Sequence, residues 1–75
     1  MSIDDIRSFR NAQPFRPFTL LLRDGRVLHV ELPLRIAFAP DGRRLAVFDG
    51  PRLSMLTIDD VRLASVEDQS AASQS

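Results

Sequence analysis

All three glycines in this 75-residue chain follow an aspartate, as Asp24-Gly25, Asp41-Gly42 and Asp49-Gly50. Asp-Gly between apolar runs is a strong hairpin signal, because glycine takes the positive φ of a tight turn without steric cost. The flanks are of the right kind. Phe18 to Leu22 and Val27 to Leu32 surround the first turn, and Ile36 to Ala39 and Arg44 to Phe48 surround the second. Leu53 to Ile58 follows the third, and Val61 to Val66 closes the series after Asp59-Asp60. Short strands separated by turn signals at this spacing belong to a small barrel or a curled sheet.

Alternation within the first hairpin selects its register. A two-residue turn places Leu20 opposite His29 and Phe18 opposite Glu31. A three-residue loop, Arg23-Asp24-Gly25, places Leu20 opposite Leu28 and Phe18 opposite Val30. The second geometry collects Phe18, Leu20, Leu22, Leu28, Val30 and Leu32 on one face. Because a slip of one residue turns a strand over, this pattern favours the three-residue loop with a glycine bulge. The outer face then carries Thr19, Leu21, Val27, His29 and Glu31. Around Pro40-Asp41-Gly42 the faces are less clean. A three-residue loop separates Phe38 from Leu45, whereas a two-residue turn aligns Ile36 and Phe38 with Val47 and Leu45; both registers remain open.

Ahead of the strands, Ser2-Ile3-Asp4-Asp5-Ile6 reads as a helix start. Ser2 caps, Asp5 stands where a carboxylate reaches back, and both acids suit the positive end of the helix dipole. Ile3, Ile6 and Phe9 give one apolar face. Pro14 disfavours helix at Gln13, which limits the helix to about ten residues, too few to hold alone. Phe15 and Phe18 are placed to plug the seam between helix and sheet.

The expected class is therefore α+β, mainly β. An N-terminal helix precedes an antiparallel, strongly curled sheet of five strands (six if the short ones are counted separately) or a small SH3- or Sm-like barrel. Residues 1–66 form the single domain. Residues 67–75, EDQSAASQS, carry no apolar side chain larger than alanine and are expected to be a disordered tail. A folded part of about 65 residues is small for a lone core, so marginal stability or self-association is expected.

Composition excludes several chemistries. There is no cysteine, hence no disulfide and no thiolate metal site. Tyrosine and lysine are also absent, and His29 is the single histidine. One imidazole with scattered carboxylates makes neither a catalytic triad nor a metal cage. Asp59-Asp60 reads as a turn or cap, since adjacent strand residues point to opposite faces. No catalytic residue, metal, cofactor or small-molecule ligand is expected. No apolar run reaches a membrane span and no signal-peptide pattern opens the chain, so a cytoplasmic location is expected.

Ten basic residues, all arginine, balance ten acids. Arg16, Arg23, Arg26, Arg43, Arg44 and Arg52 stand at or near turns and strand ends, where a basic rim for phosphate would form if the hairpin tips cluster. Asp24, Asp41 and Asp49 stand at the same tips and offset it. The apolar alternative is the outer face of the first hairpin, Leu21 and Val27 opposite each other with His29 beside them. A protein partner or self-association is favoured over nucleic acid.

The segment Pro14-Phe15-Arg16-Pro17-Phe18-Thr19-Leu20, then Asp24-Gly25-Arg26, then Pro40-Asp41-Gly42-Arg43, after a short capped helix, resembles a family of short uncharacterised bacterial proteins. Their pattern is a helix, PFxPFxLxLxDGR, then PxGR and an apolar strand. The likeness covers residues 2 to about 66 and implies no catalytic residue. The Pro40-Asp41-Gly42 stretch is also similar to a β-propeller blade repeat, but a single copy marks only a hairpin. The layout loosely resembles Sm-like and SH3-like barrels, which implies an RNA-binding Sm-like subunit as the alternative function. Leu32-Pro33-Leu34 and Arg62-Leu63 stand roughly where Sm proteins keep their RNA-contact residues, so that part of the motif is missing.

Overall fold

The computed structural model describes residues 1–67. Helix α1, Ile3–Arg10, starts at Ser2, where the capping box is complete. The Asp5 N–H donates to Ser2 Oγ (3.3 Å), and the Ser2 N–H donates to Asp5 Oδ2 (2.9 Å). The helix has eight residues and stops at Asn11. Ile6 is fully buried, with Ile3 and Phe9 packed beside it.

Six strands follow: β1 Phe18–Leu22, β2 Val27–Val30, β3 Ile36–Phe38, β4 Arg44–Asp49, β5 Arg52–Thr57 and β6 Val61–Val66. They form two three-stranded antiparallel sheets, in the orders β2-β1-β6 and β3-β4-β5. The expected single five-stranded sheet is thus replaced by two smaller ones. The physical reason lies in the 3₁₀ turns Pro33–Arg35 and Ile58–Asp60, which interrupt the chain between β2 and β3 and between β5 and β6. In the second, the Asp60 carboxylate accepts from both the Thr57 N–H (3.0 Å) and the Thr57 hydroxyl (3.2 Å). Asp59-Asp60 is a turn, as its sequence suggests.

The β1–β2 register is the one favoured by alternation. Leu20 opposes Leu28, and Phe18 opposes Val30. The Leu22 N–H donates to Arg26 O, enclosing Arg23-Asp24-Gly25, with Gly25 at φ +95°. Phe18, Leu20, Leu22, Leu28 and Val30 are all buried. Leu32 is not. It lies beyond β2, at the start of the Pro33 turn, where the chain has already left the ladder, and it is half exposed.

Of the two open registers for the second hairpin, the structure adopts the one aligning Ile36 with Val47 and Phe38 with Leu45. The loop holds four residues, Pro40 to Arg43, closed by the Ala39 N–H donating to Arg44 O. Asp41 organises it by accepting from the Arg43 and Arg44 N–H groups and from Arg44 Nε. Led by the Arg43 N–H, these bonds hold its pKa down at about 2.

One core joins both sheets and the helix: Ile6, Phe18, Leu20, Val30, Leu45, Val47, Leu56 and Val61 among others. The Phe18 ring lies 5.3 Å from Phe9 and 6.1 Å from Phe15, centroid to centroid, which is the expected seam. From the same helix, the guanidiniums of Arg7 and Arg10 sit 5.1 and 5.0 Å from the centre of the Phe38 ring. These cation–π contacts tie α1 to β3.

Glu67 is the last of the described residues. Its N–H donates to Pro17 O (2.9 Å), extending the β1–β6 pairing by one bond. The rest of the expected tail lies outside the described residues.

Candidate interaction surfaces

Strand pairing across β2-β1-β6 determines what the first sheet presents outward. Leu21 pairs with Val27 on one side and Leu63 on the other. The anticipated Leu21–Val27 pair is therefore part of a three-residue apolar row with Leu21 in its middle. Leu63, half exposed, was not singled out in the sequence because the partner strand of β1 is distant along the chain. The next row is polar: His29, Thr19 and Ser65.

His29 is not part of the apolar row. Its Nδ1 lies 3.0 Å from Glu67 Oε2. That hydrogen bond, helped by the charges of Glu67, Asp49 and Glu31, raises the His29 pKa against a smaller opposing effect of burial. Since the folded value lies above the ordinary value of 6.5, the pair stabilises the fold fully below pH 6.5. The contribution disappears as pH rises through the folded value. Thermal unfolding followed from pH 6 upward is expected to show a small fall in Tm that His29→Gln removes. The effect is small because the ring is half exposed and solvent screens the pair. A pH-independent difference between the two proteins over this range would contradict the assignment.

The arginines do not form one rim. Arg23 and Arg26 at the β1–β2 tip and Arg43 and Arg44 at the β3–β4 tip come to one end, joined by the Ile58–Asp60 turn. The Arg23 N–H donates to Asp60 O (2.9 Å) and Arg23 Nε to Asp59 O (2.7 Å). The Ile58 N–H donates to Arg43 O (2.7 Å), and Arg43 Nη2 lies 3.9 Å from Asp59 Oδ2. Arg26 holds Asp24 (2.9 Å), and Arg44 holds Asp41 (2.7 Å). The end is thus close to neutral, each guanidinium facing a carboxylate or a carbonyl. Arg16 precedes β1 at the far end of that strand, and Arg52 lies at the β4–β5 turn, away from the β3–β4 tip.

A second apolar surface lies on the β3-β4-β5 sheet. Leu45 and Val47 face the core from β4, so Ala46 and Phe48 face outward. Their partners on β5 are Met55 and Leu53. On β3, Ala37 pairs with Ala46. Phe48, Leu53 and Met55 are 43%, 53% and 68% exposed. This face runs across all three strands. Two guanidiniums stand at its rim: Arg44 at the β3–β4 end is held by Asp41, and Arg35 before β3 donates to Gly50 O (3.2 Å). Sequence reading missed the face because its register was undecided, although Ala46/Phe48 and Leu53/Met55 at alternate positions were the available signal.

Along the outer side of β5 runs a depression of about 390 Å³, lined by Arg26, Arg52, Leu53, Ser54 and Met55. Among the described residues no group of three or more His, Cys, Asp or Glu side chains is placed to hold a metal ion, and no helix is long and apolar enough to cross a membrane. No family model matches the chain, nor does any curated protein or solved structure in the comparisons.

Proposed function

We propose that this chain is a small non-catalytic protein-interaction module that self-associates through the outer face of β3-β4-β5. The observation that carries the reading is that face: Phe48, Leu53 and Met55 exposed together, with Ala37 and Ala46 completing an apolar surface. Contiguous exposed apolar side chains of this kind mark interaction sites. The occupant is a second copy of the chain. Formal net charge is zero, and Arg44 at the rim of the face is paired with Asp41, so two copies meet with little like-charge repulsion. Three strands of at most six residues, about 4.8 Å apart with a rise of about 3.3 Å per residue, cover roughly 300 Å², well below the roughly 800 Å² per partner of a standard interface, so the association is weak.

Light scattering and chemical crosslinking across about 10 μM to 1 mM, the range in which small interfaces dissociate, are expected to show a concentration-dependent dimer. Phe48→Glu places a carboxylate in the middle of the face and abolishes the dimer while leaving the circular dichroism spectrum unchanged. A strict monomer throughout that range, or a dimer indifferent to Phe48→Glu, would sink the proposal.

The sheet orders support reading the fold as a small SH3- or Sm-like barrel, with β1 paired to both β2 and the last strand. The likeness to the short bacterial family stays part of this reading through its Pro-Phe and Asp-Gly-Arg segments. An Sm-like RNA-binding role finds its support in the four arginines gathered at one end. That support is the weaker, because the same end holds Asp24, Asp41 and Asp59 against those arginines.

A further inference from the structure

Strand β5 is the edge of its sheet, paired with β4 alone. Antiparallel ladders alternate, so every second residue of an edge strand points its N–H and C=O away from its partner. The parity is set by the turn and by the far end. Asp49 and Arg52 flank the two-residue Gly50-Pro51 turn, and the Ile58 N–H donates to Arg43 O. Even-numbered residues of β5 therefore bond to β4. The N–H and C=O groups of Leu53 and Met55 point to the free edge, while the outward Thr57 N–H is taken by the Asp60 carboxylate (3.0 Å). Among the described residues, neither Leu53 nor Met55 makes a backbone hydrogen bond outside the β4–β5 ladder.

Natural sheets protect such edges with charge, proline, bulges or a covering segment. From Leu53 to Met55 this edge has none: no charged residue, no proline and no shift in its register with β4. At one end of the depression beside it stands Arg52, which makes no ion pair among the described residues. At the other stands Arg26. Asp24 engages its Nε only, so its two terminal nitrogens have no partner among the described residues. An unpaired ladder flanked by two guanidiniums combines main-chain affinity with a charge preference.

We infer that the β5 edge binds an extended acidic peptide segment as an added strand. The segment's backbone pairs with Leu53 and Met55, and its carboxylates meet Arg26 and Arg52. The inference rests on the chain being a protein-interaction module and names a second partner class for it. Nucleic acid would use the guanidiniums but not the edge amides, which separates the two in the test.

The probe is a capped hexapeptide of alternating glutamate and valine, with its lysine–valine counterpart and a poly-uridine oligomer as comparisons. Amide NMR spectra are recorded on dilute full-length protein, below its self-association range. The acidic peptide is expected to shift the Leu53 and Met55 amides and slow their hydrogen exchange. The lysine peptide leaves them unchanged, and added salt weakens the effect. Arg52→Gln, a surface change that leaves the fold intact, is expected to weaken binding about tenfold, the scale of one charge-assisted contact. Met55→Pro removes an outward N–H, a replacement edge strands tolerate, and abolishes binding. Equal binding of both peptides, or shifts confined to residues away from β5, overturns the inference, as does oligouridine binding without acidic-peptide binding. If the peptide fails while Phe48-dependent dimerisation persists, only the edge site falls; if both fail, the module reading falls with it.

Discussion

Phe18→Ala is expected to leave the chain largely unfolded at room temperature. Phe18 is fully buried in the central strand of the first sheet, opposite Val30 on β2 and Val66 on β6. Its ring also meets Phe9 from α1 and Phe15 from the connecting segment. One side chain thus supports both ladders of the sheet and the docking of the helix. Truncating a buried phenylalanine to alanine costs about 3–5 kcal/mol, the lost transfer energy plus the cavity left behind. A single core in a chain of this size rarely supplies more than about 3–5 kcal/mol in total, so the loss is as large as the whole. Urea denaturation followed by circular dichroism measures the difference. Leu34→Ala serves as the control, since Leu34 is 89% exposed and such changes stay within about 0.5 kcal/mol. A Phe18→Ala loss as small as that of Leu34→Ala would mean that Phe18 is not the centre of the core.

The first hairpin was legible because its two faces differ in chemistry. Phe18, Leu20, Leu22, Leu28 and Val30 stand against Thr19, His29 and Glu31, and one loop length alone gathers the apolar set. The second hairpin offered no such contrast. Its core residues, Leu45 and Val47, alternate with Ala46 and Phe48, and Met55 alternates with Leu56. When both faces are apolar, alternation no longer distinguishes inside from outside, and the register stays ambiguous. The exposed face was hidden for the same reason that it suits an interaction surface. The division into two sheets was hidden differently. It depends on β1 pairing with β6, so that Thr19 meets Ser65, and no local pattern encodes which distant strand a central strand recruits. The His29–Glu67 pair follows from that same long-range pairing, and the tail's composition gave no hint that Glu67 joins the fold.

The N-terminal helix presents a conflict between local and tertiary terms, which Ile6→Ala resolves. Alanine is the best helix former, so the substitution favours the isolated helix by a few tenths of a kcal/mol. It also removes the one fully buried side chain of α1, at a cost of about 2–5 kcal/mol. An eight-residue helix lies well below the roughly 12–15 residues at which isolated helices become even marginal. The tertiary term therefore wins, and Ile6→Ala is expected to lower both helicity and global stability. Ser2→Ala gives the comparison. It breaks the capping box and costs about 0.5–2 kcal/mol. The expected order is Ile6→Ala more damaging than Ser2→Ala in the same urea titration. If the order is reversed, the helix is held by its cap, and its burial against Phe18 is incidental. If it is as expected, the capping box sets where the helix begins, while the core under Ile6 decides whether it forms at all.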